Sequence, residues 1–404
     1  MKNSNYRWLV LSFSLLFQAL SYGLIFYSFA VMLLPFQASF EVPLRKIMIA
    51  TLCLQLGVGV FSALLGKFID TWSPHIYVSI GGASLAAGFF VCSQLDSYWS
   101  MLVVYTTLFP MGLVLSGTLA AQSLAVKWFP ERRGLALGMS AMGTSFGGFF
   151  LPPLVVWLLS NNSWQSVYLV LALACFLAIC PVAWFLLRRQ PTAIQSTTGP
   201  LDILDQRSWG NAEIMSQRVF WVLIIGLSPV VAAFTAIQLN IAAYANDAGL
   251  NATKGALLIS VIALAMMFGK FFFASLSDRF SHRILFTVVI LGHIITIFLL
   301  RMELSFDGLT AVMVVFGFSV GGVLPMAGAI IAHSFGAASF GRAMGLVIPF
   351  VTASSAIGPL IAASVRDLTG NYVGAFTLFV YFLGPAMVVV LFFLKNQKVQ
   401  KIKR

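Results

Sequence analysis

The chain predicts an all-α membrane protein, with twelve transmembrane helices in two pseudo-symmetric six-helix bundles. Three observations predict it. Twelve long apolar stretches fill the 404 residues. The composition is 60% hydrophobic and only 9% charged, with a mean hydropathy of +0.95. The second half also repeats the first at an offset of about 208 residues: Asp70 recurs as Asp278, Gly138 and Pro152 as Gly345 and Pro359, and Trp164 and Tyr168 as Tyr372 and Phe376. A water-soluble fold needs a charged exterior that this composition does not supply. The bilayer is then the solvent, and each crossing takes about 20 apolar residues.

The spans follow in order. The first covers 8–33 and is too long for a signal-peptide core; no small-residue cleavage site follows, so it is expected to persist as a helix. It carries Gln18, Ser21 and Tyr22 at i, i+3 and i+4, a polar stripe on one face. The second, 47–66, contains Gln55 and leads into a loop reading Gly66-Lys67-Phe68-Ile69-Asp70. The third and fourth cover 76–95 and 99–122. The connection to the fifth, 134–159, reads Lys127-Trp128-Phe129-Pro130-Glu131-Arg132-Arg133-Gly134. Gly138, Gly143, Gly147, Gly148, Pro152 and Pro153 follow, small residues that give smooth faces able to slide and rock.

The sixth span, 165–187, completes an N-terminal bundle over 1–189. A cytoplasmic linker over 190–216 begins with Pro191, Ser196, Thr197, Thr198, Gly199 and Pro200, continues with Asp202, Asp205, Arg207 and Glu213, and is expected to carry a short surface helix from Leu201 onward. The C-terminal bundle covers 217–394. Its seventh span, 219–244, holds Gln238 and Asn240; the eighth, 255–275, holds Lys270 and is followed by Asp278-Arg279. The ninth, 283–301, contains His293, and the tenth, 308–333, ends at His333. The eleventh, 341–364, opens on Phe340-Gly341-Arg342-Ala343-Met344-Gly345 and includes Ser354, Ser355, Gly358 and Pro359. The twelfth, 373–394, precedes a basic tail over 395–404.

The net charge of +12 raises the question of nucleic acid, and the placement of the charges answers it. With the N-terminus in the cytoplasm, 18 of the 24 Lys and Arg fall on inner segments and five on outer ones, leaving Lys270 within the membrane. That bias follows the positive-inside rule and puts both termini in the cytoplasm. The tail is expected to meet anionic headgroups. Cys53, Cys92, Cys175 and Cys180 fall inside spans without metal-ligand spacing and read as small core residues. Trp164, Trp209 and Trp221 sit near membrane edges, where amphipathic rings form interfacial belts. No phosphate-cradling glycine loop or metal cluster is present in the sequence, so no cofactor and no ATP-driven pumping are expected.

Two loops, Gly66-Lys67-Phe68-Ile69-Asp70 and Asp278-Arg279-Phe280-Ser281-His282-Arg283, one after the second helix of each six-helix half, resemble the pattern of the major facilitator superfamily, and the resemblance covers the whole chain. It implies that superfamily's fold, with a substrate site between the halves reached from one compartment at a time. It also implies that the loops act as conformational latches, a role carried here onto Gly66, Asp70, Asp278 and Arg279. A carboxylate at such a turn can cap the next helix or pair with a basic residue. Thr71 replaces the basic residue usual in the first copy, which predicts a weaker N-terminal latch. Trp128-Phe129-Pro130-Glu131-Arg132-Arg133-Gly134, with Ser21-Tyr22-Gly23, Pro35 and Asp367-Leu368-Thr369-Gly370, is similar to the monocarboxylate porter and oxalate–formate antiporter branch.

An ionisable group inside a bilayer is costly, so each is a functional candidate. Lys270 lies about 12 Å along its helix from Asp278. In the resembled branch an arginine at this place contacts a substrate carboxylate; lysine keeps the charge and loses the bidentate fork. The alternative is a lysine that snorkels to headgroups. Met266 stands where some relatives carry an aspartate, so that group's proton-coupling role does not transfer. Gln18, Tyr22, Gln55, Gln238 and Asn240 are the polar candidates for substrate contact, against interhelical hydrogen bonding. Ser354 and Ser355 read as packing residues, His293 as structural, and His333 as a gate neighbour.

The expected function is a secondary active or facilitative transporter of a small carboxylate-bearing solute working by alternating access, not an enzyme. An exporter of an amphipathic drug or siderophore, and a non-transporting sensor with the same fold, remain alternatives. The expected partners are the solute, protons as an optional coupling ion and membrane lipids, with no nucleic acid. The chain is expected to act as a monomer in a bacterial inner membrane.

Overall fold

The computed structural model of the protein describes residues 3–188, 207–247, 249–250, 252–302 and 304–394. Residues 190–206 of the predicted linker, including the start of its expected helix, and the basic tail 395–404 lie outside them. The described residues are helical, and twelve helices among them are long and apolar enough to cross a membrane. The elements are α1 (Asn3–Tyr22), a π-helical turn (Gly23–Tyr27), α2 (Phe29–Phe40), α3 (Leu44–Thr71), α4 (Pro74–Ser93), α5 (Tyr98–Thr106), α6 (Leu108–Ser116), α7 (Thr118–Trp128), α8 (Arg133–Leu159) and α9 (Trp164–Leu186). There follow α10 (Asn211–Ser216), α11 (Arg218–Asp247), α12 (Ala252–Ser277), α13 (His282–Leu299), α14 (Phe306–Gly321), α15 (Val323–Phe335), α16 (Phe340–Thr369) and α17 (Tyr372–Phe393). Short 3-10 turns precede α8 and α16, at Pro130–Arg132 and Ala337–Ser339.

α3, α11 and α16 outrun their predicted spans because hydropathy senses the hydrocarbon, whereas a helix ends where its backbone bonding ends. The Gly66–Asp70 segment is accordingly the last turns of α3, not a loop. The first span passes through the π turn, whose Gly23 carbonyl accepts both the Ser28 N–H at 3.0 Å and the Ser28 hydroxyl at 2.8 Å. The fourth span is three helices, broken at Thr107 and Gly117. Hydroxyls satisfy the carbonyls near these breaks: Ser84 donates to Leu108 O at 2.7 Å and Ser116 to Gly112 O at 2.8 Å.

Two compact units emerge. The first comprises Met1–Glu131, Met139–Asn211 and Phe335–Pro349; the second comprises Arg132–Gly138, Ala212–Ser334 and Phe350–Arg404. Thus α8 and α16 each run through both units. The first unit packs an aromatic cluster in which Phe36 meets Trp164 and Tyr168 edge-on, and the Tyr105 and Tyr168 hydroxyls pair at 3.0 Å. In the second, the fully buried His293 bonds its own helix through Nδ1 to Val289 O at 2.8 Å and meets the Phe316 ring.

Two of the three belt tryptophans need correction. Trp164, at 7% exposure, belongs to that aromatic cluster, and Trp209, at 8%, is inserted against the turn before α16. Their flanks are polar, yet each ring has a protein socket that outcompetes the headgroup region. Trp221 stays 42% exposed, with its indole N–H donated to Met215 O, as a belt residue would.

Candidate functional site

Within the first unit, α1, α6, α7 and α8 converge their polar side chains. Gln18 is fully buried and donates from Nε2 to Ser140 Oγ at 2.6 Å. Ser21 and Ser116 hydroxyls lie 3.4 Å apart, and the Tyr22 hydroxyl meets the Thr118 side chain. Tyr22–Thr118 and the Tyr6–Trp128 ring contact fix an antiparallel register between α1 and α7. Gln18 is one turn before Tyr22 and Gln122 one turn after Thr118, so the two amides share a level. Gln122 is 0% exposed, and neither end of its amide has a hydrogen-bond partner among the described residues; Gln18 Oε1 has none either. Sequence reasoning missed Gln122 because hydropathy ended the fourth span there, whereas the helix continues to Trp128.

The remaining predicted contacts fall elsewhere. Gln55 is half-buried on α3. In the second unit, Gln238 is half-buried on α11, and Asn240 turns its amide back to Ala236 O at 2.8 Å. Ser354 likewise bonds its own helix at Phe350 O. Lys270, on α12, is 3% exposed, so protein rather than lipid encloses it. Its peptide lies at a close crossing: a Cβ on Gly138 would stand 2.8 Å from Lys270 O, and one on Gly321 2.6 Å from Lys270 N. His333 is half-buried, with its ring 5.8 Å from that of His282.

The two aspartates of the repeat do not cap the helix that follows each of them; they cap helices remote in sequence. Asp70 accepts the Gly341 and Arg342 N–H groups, both at 2.8 Å, at the second and third residues of α16. Asp278 accepts the Gly134 and Leu135 N–H groups at 2.7 and 2.9 Å, at the second and third residues of α8. A helix N-terminus leaves its first N–H groups without intrahelical acceptors, and a carboxylate there is favoured by charge as well. Glycine is required at these approaches: a Cβ on Gly341 would sit 2.8 Å from Asp70 Oδ1 and from Gly66 O.

Lys127 lies beside Asp70 and donates Nζ to Ile69 O at 2.9 Å, supplying a cation that Thr71 does not. Burial pushes the Asp278 carboxyl above the usual carboxylate range, opposed by the Leu135 and Gly134 N–H groups, His282 and Arg132. Arg279, the fourth predicted latch residue, is exposed and takes no part in either cap.

The two crossings match residue by residue. On α3, Ser62, Gly66 and Asp70 recur every fourth residue and face Gly345 and Gly341. On α12 and the turn after it, Lys270, Ala274 and Asp278 recur at the same spacing and face Gly138 and Gly134.

Comparison with known proteins agrees with this geometry. The family model described as Major Facilitator Superfamily matches residues 11–309 and 257–404. Monocarboxylate transporter 13 of Bos taurus is 25% identical over 405 residues, spanning 96% of this chain and 90% of that protein. The uncharacterized MFS-type transporter YcxA of Bacillus subtilis (strain 168) is 23% identical over 403 residues, spanning 98% and 97%. Among solved structures, the MFS transporter FucP superposes with a TM-score of 0.73 at 17% identity over 94% of this chain and 98% of that one. The human organic anion transporter MFSD10 (TETRAN) gives 0.71 at 15% identity over 96% and 100%.

Proposed function

The chain belongs to the Major Facilitator Superfamily, and from that premise we propose that it carries a small carboxylate-bearing solute across a bacterial inner membrane by alternating access, with both termini cytoplasmic. Lys270 supplies the positive charge for the carboxylate. Gln18, Tyr22 and Gln122, with Gln238, Asn240 and Gln55, supply uncharged hydrogen-bonding contacts. Asp70 and Asp278, with Gly66, are the latches, each holding a helix N-terminus in one conformation and releasing it in the other. Coupling to protons and exchange of one solute for another both fit this arrangement.

One observation carries the reading. Lys270 occupies the place that Ser62 fills in the matching crossing, and that crossing closes with no charged side chain at this position. Packing therefore does not require the lysine. A buried cation at membrane depth costs several kcal/mol on any scale and persists where function needs it. A carboxylate is the simplest soluble partner for one such charge. Monocarboxylate-transporter relatives support the same class.

The test is uptake of a carboxylate panel by the purified protein in proteoliposomes, wild type against Lys270→Gln. The charge-assisted contact is expected to be worth roughly 10- to 100-fold in uptake at low concentration. Unchanged uptake of every accepted carboxylate would remove Lys270 from the site.

A further inference from the structure

We infer that Trp209 and Ser339 are positioning residues of the Asp70 latch, and that the stretch 207–210 clasps the turn the latch holds. The inference rests on reading the aspartate caps as latches. All of the contacts lie inside the first unit. The turn before α16 opens at Gly336, whose φ of +75° suits glycine, and runs through the 3-10 residues Ala337–Ser339. Ser339 is 1% exposed, and its hydroxyl is used twice. It accepts the Trp209 N–H at 2.8 Å and donates to Arg207 O at 3.1 Å.

Arg342 joins the clasp to the cap. Its backbone N–H goes to Asp70 Oδ2 at 2.8 Å, while its guanidinium donates to the Trp209 carbonyl. The Trp209 ring is the anchor. The Arg207 guanidinium lies 3.9 Å from one ring centroid, and Phe335 meets the indole edge-on with centroids 5.6 Å apart. Two residues of the linker's exit, Arg207 and Trp209, thus fix both the residue before α16 and the third residue inside it. The first lies two residues before the Asp70 contacts, and the second is one of them. The chemistry is that of a strap: an aromatic anchor, a twice-bonded hydroxyl and a bidentate residue shared with the latch.

The second cap is built differently. There Arg133 donates Nη1 to Ala332 O at 3.1 Å, a contact from within α15 rather than from the linker. The contacts described for 207–210 thus bear on the Asp70 latch. The clasp adds to the Lys127 cation beside Asp70 by holding the helix whose N–H groups Asp70 accepts. Release of 207–210 from this turn then changes how readily α16 leaves Asp70.

The experiment measures hydrogen–deuterium exchange at residues 340–343 of the full-length protein in lipid nanodiscs. It compares Trp209→Ala, Trp209→Phe and Ser339→Ala, alone and combined with Asp70→Asn. Contacting residues of one network couple strongly enough to expect about tenfold faster exchange in Trp209→Ala and in Ser339→Ala. Trp209→Phe, which keeps an aromatic ring and the backbone bonds, is expected to recover most of the protection. Trp209→Ala should add little to Asp70→Asn, because the cap it positions is already lost. In proteoliposomes, turnover should shift while the solute concentration giving half-maximal uptake stays the same.

Unchanged exchange in both Trp209→Ala and Ser339→Ala overturns the inference, as does full additivity with Asp70→Asn. If Trp209→Ala does not accumulate as folded protein, Ser339→Ala decides alone by the same readout. The exchange measurement needs no solute, so a failure of the carboxylate reading leaves it intact, and its own failure leaves that reading standing.

Discussion

Replacing Asp70 with asparagine isolates the charge and one acceptor of the first cap. The wild-type carboxylate receives two backbone N–H groups, each at 2.8 Å, one on each oxygen. Hydrogen bonds of this charged class contribute about 1.5–3 kcal/mol each. The negative charge at a helix N-terminus adds roughly 0.3–1 kcal/mol. Asparagine keeps one oxygen and turns an NH2 toward the second N–H, so one bond and the charge are lost and one donor is stranded. The expected loss is about 2–4 kcal/mol, or roughly 30- to 1000-fold in the equilibrium between capped and uncapped states.

Exchange of the Gly341 and Arg342 amides reads this directly, since no intrahelical acceptor protects them. In nanodiscs those two amides should exchange faster by that factor, with the middle of α16 unaffected. Wild-type exchange at 341–342 in folded Asp70→Asn protein would show that the carboxylate does not hold the turn. The latch assignment would go with it.

Three further outcomes follow from the same geometry. Gly134→Ala places a Cβ 2.8 Å from Ala274 O and 2.9 Å from Asp278 Oδ1; it should open the second cap, raise Leu135 exchange and leave Gly341 exchange unchanged. Because burial raises the Asp278 carboxyl, the capped state binds a proton at higher pH than a free carboxylate near 3.9. Stability is gained as pH falls between those two values, so the midpoint of wild type minus that of Asp278→Asn should widen from pH 7 to pH 4; a flat or narrowing difference contradicts it. Gln122→Leu removes a buried amide without partners among the described residues; unfolding midpoints should hold or rise, while uptake of accepted solutes falls about tenfold or more, and unchanged uptake removes Gln122 from the site.

The sequence made the spans legible because transfer from water to hydrocarbon is a local property of about 20 residues. It made Asp70 and Asp278 legible as a pair because a duplication preserves spacing. Their partners were not legible. Nothing near Asp70 says that its acceptors meet Gly341 rather than the helix starting at Pro74; that choice is tertiary. Gln122 was hidden by a hydropathy boundary that cut its helix six residues short of Trp128. Trp209 looked interfacial because its neighbours are polar, and only the Phe335 and Ser339 contacts show the socket. Lys270 was visible as a charge, and the repeat pairs it with Ser62, but that both face a close helix crossing required the fold.

That crossing also bears on how solute and latch communicate. Lys270, Ala274 and Asp278 lie on one face of a single helix and the turn that closes it. The first two turns of α8 lie on that face: Gly138 at the Lys270 peptide and Gly134 under the Asp278 carboxylate. A displacement of α12 at Lys270 by as little as a side-chain radius must therefore be taken up by Gly138, and through the rigid first turns of α8 by the Asp278 cap. Such transmission needs no chain of intermediates, because one helix segment touches both points. In the matching crossing the corresponding glycines of α16 meet Ser62 and Asp70, with an uncharged serine at the position of Lys270. Solute binding at Lys270 is then expected to act first on the Asp278 cap. The Asp70 cap, clasped from the linker, is left to answer to a different input.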